Sequence, residues 1–172
     1  MTKPDSSPGR PSFLRAWWPA LVWICLIAGE STDKLSSDNT GALLYKVISR
    51  IFPDINLHDV LVLNFLLRKT GHVIGYGILS LLLLRGWRRT LARARATFGR
   101  STVGLVTFGR TATLAWLGTA LIASMDEWHQ SFIPSRTGTP RDVLLDSTAG
   151  LVFLLVAYFW LRRNRVVEVP VQ

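Results

Sequence analysis

An all-α integral membrane protein is the fold class this sequence predicts: a four-helix bundle with an additional amphipathic helix at the membrane interface. Three observations carry that expectation. Nearly half of the 172 residues, 49%, are apolar, and the mean hydropathy of +0.28 is high for a water-soluble domain. The net charge is nevertheless +9, and the basic residues, mostly arginine, stand in blocks at the ends of apolar runs. Two polar groups, residues 68–76 and 124–150, then interrupt or border those runs, where charge is costly and has a partner or a task. A nucleic-acid-binding domain would carry its charge along one face of a soluble core, so nucleic acid is not an expected partner. The length fits one domain.

Taken in order, residues 1–12 are rich in proline, serine and charge and are expected to form a disordered cytoplasmic tail. The first span is placed at 13–29, with Trp17, Trp18 and Trp23 suited to the interface and Arg15 able to snorkel. It is short against the roughly 20 residues a spanning helix needs. No small-x-small cleavage site precedes the next polar run, so it reads as a retained anchor. Its Cys25, the single cysteine, has no intramolecular partner for a disulfide and reads as a small buried apolar residue.

Residues 30–56 are polar except for 43–52, where Leu43, Leu44, Val47, Ile48, Ile51 and Phe52 repeat at helical spacing before Pro53. That piece is expected on the membrane surface or against the other helices. Asn56 followed by Asp59 reads as a helix start. Residues 57–67 are expected to form a helix entering the interface, and the second span is placed at 69–87. Residues 85–110 hold seven arginines and no acid, and are expected to form a loop. The third span is placed at 103–125 and the fourth at 143–161, ending at Arg162, Arg163 and Arg165. The membrane domain is thus 13–165, with a short cytoplasmic tail at 166–172.

Topology follows from the arginines. Both tails and the stretch 85–110 are basic and, by the positive-inside bias, cytoplasmic. Four spans with both termini inside satisfy this. The start of span two, the end of span three and the start of span four then share the outer face, which brings the two polar groups to one side.

Within those groups, Lys69, His72 and Tyr76 occupy one helical face, with Gly71 and Gly75 on a neighbouring face at a spacing that permits close helix approach. Asp126, Glu127 and Gln130 share a face at the end of span three. Asp142 and Asp146 are an i, i+4 pair at the start of span four. Asp142, after Pro140, can cap that helix. Asp146 lies a turn deeper and needs a partner, with Arg136, Arg141, Lys69 and His72 as the candidates. The alternative to a binding site is a salt-bridge and hydrogen-bond network that holds the helices together. His58 and His129 read as interfacial or solvated residues, and the arginine-rich stretch as a topological determinant that binds anionic lipid heads.

These residues carry a family resemblance. Lys69-x-x-His72-x-x-x-Tyr76, then Asp126-Glu127-x-x-Gln130-x-Phe132-x-Pro134-x-Arg136, then Asp142-x-x-x-Asp146-x-x-x-Gly150 resembles the VanZ-like family of small bacterial membrane proteins. The match covers roughly residues 13–165. The resemblance implies a possible link to resistance against the glycopeptide teicoplanin. The chain departs from the family pattern at Arg68, where an acid is frequent, and at Ser135 and Leu154, where glycine is frequent. It departs again at Asp146, where asparagine is frequent.

Two functions remain open. One is recognition, at the outer face, of an anionic lipid-linked cell-wall precursor or glycopeptide, with Arg136 and Lys69 as donors to phosphate or carboxylate. The residues expected to bind are Lys69, His72, Tyr76, Asp126, Glu127, Gln130, Arg136, Asp142 and Asp146. The other is an outer-leaflet enzyme acting on a lipid-carrier phosphoester, with His72, Asp126, Glu127 and Asp142 as acid/base candidates. No serine elbow, cysteine–histidine pair or phosphate-cradling loop is present in the sequence. The carboxylates could also hold a hard divalent ion, but no recognised ligand motif calls for one, and no cofactor or metal is expected. A proton-coupled transporter is a third possibility that would require oligomerisation; the sequence does not define the oligomeric state.

Overall fold

The computed structural model describes residues 13–32, 37–99, 107–134, 136 and 138–166, and these are all-helical with connecting turns. The helices are α1 (Phe13–Glu30), α2 (Ser37–Ile51), α3 (Leu57–Phe98), α4 (Phe108–Gln130) and α5 (Pro140–Val166). The expected tail at 1–12, the expected tail at 166–172 apart from Val166, which ends α5, and the expected start of the third span at 103–106 lie outside the described residues.

Local chemistry sets the helix ends. Asn56 caps α3, its side chain accepting from the His58 N–H at 2.9 Å, with Asp59 in the first turn to complement the helix dipole. At the other end Gly99 takes φ 82°, a conformation suited to glycine, and donates its N–H to the Arg95 carbonyl. Thr107 caps α4 through the Arg110 N–H. Pro140 opens α5, where a missing N–H is harmless, and the Thr139 hydroxyl accepts from the Asp142 N–H at 3.3 Å. Thr139 therefore does the capping expected of Asp142, and the Asp142 carboxylate is released for another contact.

α3 corrects two expectations. Residues 57–67 and 69–87 belong to one unbroken 42-residue helix, which also absorbs most of the arginine-rich stretch expected as a loop. Residues 88–98 are largely Ala, Arg and Leu, good helix formers with no glycine or proline, so the helix runs on until Gly99. α4 extends to Gln130, past the span end expected at 125, and carries Asp126, Glu127 and Gln130 on helix as their spacing predicts.

α3 is the central element, with α1, α2, α4 and α5 all packed on it and α4 also packed on α5. The core joins Ala20 and Ile27 of α1, Tyr76, Leu79, Leu83 and Leu84 of α3, Ala115 and Ala123 of α4, and Leu154 of α5. Among the helical glycines the closest approach is at Gly77, where a Cβ would come within 2.6 Å of the Phe153 ring. Gly71 and Gly75, expected to bring helices together, have nothing within 4 Å of a Cβ position and border open space instead. On α2 the stripe Leu43, Val47 and Ile51 is exposed, while Leu44 and Ile48 are half-buried.

The outer surface is apolar to an extent water would penalise: Leu21, Val22, Leu121, Leu144, Val156 and Trp160 are all exposed. Cys25 is exposed as well, which corrects its expected burial. α1 and residues 140–164 of α5 are long and apolar enough to cross a membrane. α3 and α4 fall short of that composition because their inward faces are polar, with Tyr76, Ser80, Thr111, Thr119 and Asp126 buried. This distribution, apolar outside and polar inside, is consistent with a membrane protein.

Candidate functional site

The two polar groups of the sequence meet where α3, α4 and α5 converge, beside the end of α1. Three linked arrangements build the site. Lys69 of α3 forms an ion pair with Asp142 of α5, both side chains partly open to solvent. One helical turn along α3, His72 Nδ1 lies 3.2 Å from Asp146 Oδ2, so of four candidate partners the fold selects His72 for the buried carboxylate. A further turn along, the Tyr76 hydroxyl donates to Asp126 Oδ2 at 3.0 Å. The His72 and Tyr76 rings stack, with centroids 6.1 Å apart.

Asp126 gathers donors from three helices. Besides Tyr76, the Ser31 hydroxyl at the end of α1 donates to Oδ1, and Gln130 Nε2 donates to Oδ2 at 3.0 Å. Gln130 also donates to Ser31 Oγ at 3.2 Å. A buried carboxylate with this many donors offsets much of its desolvation penalty. The shared face expected of Asp126, Glu127 and Gln130 thus divides. Asp126 and Gln130 turn to α1 and α3, whereas the Glu127 carboxylate accepts the Thr139 N–H at 2.8 Å and fastens α4 to the start of α5.

Arg136, expected as a ligand donor, is buried and has a structural task. Its Nη2 donates to the carbonyls of Glu30 at 2.6 Å and Thr32 at 2.9 Å, satisfying acceptors that the end of α1 would otherwise leave unbonded. Lys69 is likewise held by Asp142 rather than standing apart as a donor. His58, His129 and Arg141 are exposed, and none belongs to the cluster.

A cavity of about 310 Å³ opens against this network. Its polar wall includes Arg68, His72, Tyr76, Asp126 and Arg136, and its apolar wall Ile27 and Leu67. Gly71 and Gly75 line it too, which gives those glycines their role: a side chain there would fill the space. Sequence reasoning missed Ser31, Thr139 and Arg68. Ser31 and Thr139 had no signal beyond their neighbours', since their contacts are made across helices; Arg68, beside Lys69 in an apolar run, had one.

The model of the VanZ/LLP1 family matches residues 16–162, most of the chain and every residue of the cluster. The chain belongs to the VanZ/LLP1 family. No curated protein and no solved structure matches it. In this VanZ/LLP1 chain the three blocks that carry the family resemblance are the ones the fold brings into contact. The pairs Lys69–Asp142, His72–Asp146 and Tyr76–Asp126 each join the first block to one of the others.

Proposed function

We propose that this VanZ/LLP1 protein is a four-span protein of the cell membrane, with both termini cytoplasmic, that binds the anionic head group of an amphipathic ligand at the outer face. The ligand class is a lipid-linked cell-wall precursor or a lipid-bearing glycopeptide, and protection against teicoplanin would follow from the latter. One observation carries this reading. The cavity with the charged wall adjoins a largely apolar groove of about 560 Å³ between α1 and α3, the two sharing Ile27, Glu30, Gly71 and Gly75 as lining residues. The groove adds Trp23, Leu26 and Ile74. A head-and-tail molecule matches such a pair of spaces: cationic and hydrogen-bonding groups for the head, an apolar channel open to the bilayer for the chain.

The test is binding of a polyprenyl phosphate to the purified protein in detergent, read by native mass spectrometry. Gly71→Leu, which fills the cavity where nothing is packed, and Arg68→Gln, which removes a charge from its wall, each weaken binding at least tenfold while the thermal midpoint holds. A phosphate lacking the chain binds more weakly than the lipid. Unchanged affinity in both variants refutes the reading. A carboxy-terminal reporter fusion that reads as external refutes the topology.

A second reading is favoured by the His72–Asp146 pair. A buried carboxylate that orients a histidine in a cavity wall is the geometry of a general base. On that reading the protein hydrolyses a lipid-carrier phosphoester at the outer leaflet. Release of labelled phosphate by purified protein, lost in His72→Ala, supports it; no release from any polyprenyl phosphoester removes it.

A further inference from the structure

His72, Glu127 and Asp146 come one from each of α3, α4 and α5, and a ligand atom from each lies within 4.8 Å of the other two. Hydrogen bonding leaves this group incomplete. Glu127 is 5% exposed and Asp146 0%. Each uses one carboxylate oxygen, towards the Thr139 N–H and His72 Nδ1 respectively. The other oxygens, Glu127 Oε1 and Asp146 Oδ1, are buried and have no hydrogen-bond partner among the described residues. Two carboxylates with bare oxygens beside one imidazole are unfavourable in a low-dielectric interior, where every unmatched anion loses its hydration. The neighbouring cation Lys69 is already engaged with Asp142, and the donors of Tyr76, Ser31 and Gln130 serve Asp126.

We propose that His72, Glu127 and Asp146 form a binding site for one divalent first-row transition-metal ion, of the zinc or manganese type. The geometry fits such an ion. With metal–ligand bonds of about 2.0–2.2 Å, ligand atoms in one coordination shell stand about 3.0–3.4 Å apart when adjacent and about 4.2 Å apart when opposite. The group's 4.8 Å limit is reached from there by small side-chain rotations. The ligand chemistry selects the class of ion. Imidazole with two carboxylates suits zinc, manganese or iron(II), whereas calcium and magnesium prefer oxygen-only shells. Three protein ligands leave at least one position for an exogenous group. His72 belongs both to this group and to the cavity wall, so the ion sits directly behind the surface that faces the cavity.

The experiment measures metal content of full-length protein purified without chelator, by inductively coupled plasma mass spectrometry, and titrates it with Co²⁺ while following the visible d–d bands. About one equivalent of zinc or manganese per chain and a saturable Co²⁺ spectrum are expected. Both are lost in Glu127→Gln and in Asp146→Asn, which keep side-chain shape, and retained in Asp59→Asn, which alters an exposed acid in the first turn of α3, outside the cluster. Wild-type protein with less than about a tenth of an equivalent and no Co²⁺ bands overturns the proposal before any variant is made. So does equal metal content in wild type and both isosteric variants, which marks an adventitious ion only. Neither readout depends on the ligand of the cavity, so a failed lipid-binding test leaves the metal result intact.

Discussion

Tyr76→Phe isolates a single bond in the centre of the bundle. Tyr76 is buried, and its hydroxyl donates to Asp126, which also accepts from Ser31 and Gln130. The substitution removes one donor and no volume from the packed ring. A hydrogen bond to a charged group contributes about 1.5–3 kcal/mol in water-soluble proteins. Polar bonds between helices in lipid average nearer 0.6 kcal/mol and reach about 1.7. Because Asp126 keeps two donors, the lower range governs and the expected loss is about 0.6–1.7 kcal/mol. Asp126→Ala is more severe. Ser31 and Gln130 still bond each other, but the Tyr76 hydroxyl is left buried without an acceptor, and the expected loss is about 3 kcal/mol or more. The double variant should fall short of the sum by about 1 kcal/mol, the coupling that contact predicts. Equilibrium unfolding in mixed micelles with increasing SDS, followed by tryptophan fluorescence, reads all three. A Tyr76→Phe loss below about 0.3 kcal/mol, with no coupling to Asp126, would show that the α1–α3–α4 junction does not depend on this network.

Other outcomes follow from packing and exposure. Gly77→Ala places a methyl group against the Phe153 ring and should lower stability by about 1–3 kcal/mol, the usual range for overpacking. Phe153→Leu in the same chain should recover part of that loss in a thermal melt; no recovery refutes the contact. The Lys69–Asp142 pair has side chains 32% and 22% exposed, so Lys69→Gln should change stability by less than about 1 kcal/mol, and raised salt should shrink the difference further. Thr139→Pro removes the N–H that Glu127 accepts, whereas Thr139→Ala keeps it. Thr139→Ala should therefore lose only the cap, about 0.5–2 kcal/mol in an unfolding titration, and Thr139→Pro clearly more.

Helical character was legible in the sequence because its signals are local. The Asn56 cap and the apolar repeat of α2 each follow from residues within a turn or two, and each appears at its expected place. The break expected near residue 68 does not occur. Arg68 and Lys69 look like a boundary in hydropathy, yet their long side chains sit on a helix without ending it, and the arginine run beyond Leu84 is equally compatible with helix. Gly71 and Gly75 illustrate the same limit. Small residues at that spacing permit close approach, but whether a neighbour arrives depends on how α1 and α2 pack, and here they leave a cavity.

The sequence by itself determined which residues could not tolerate lipid: Lys69, His72, Tyr76, Asp126, Glu127, Gln130, Arg136, Asp142 and Asp146 are too polar for an apolar helix surface, and all nine gather at one junction. Only the tertiary structure decided their partners. Asp146 took His72 rather than an arginine, Arg136 took the carbonyls of Glu30 and Thr32, and Glu127 and Asp146 each keep one oxygen without a partner among the described residues. The reason is physical. Desolvation is a property of a side chain and its local sequence, whereas a hydrogen bond is a distance between atoms on different helices. That distance is fixed by how those helices pack against one another.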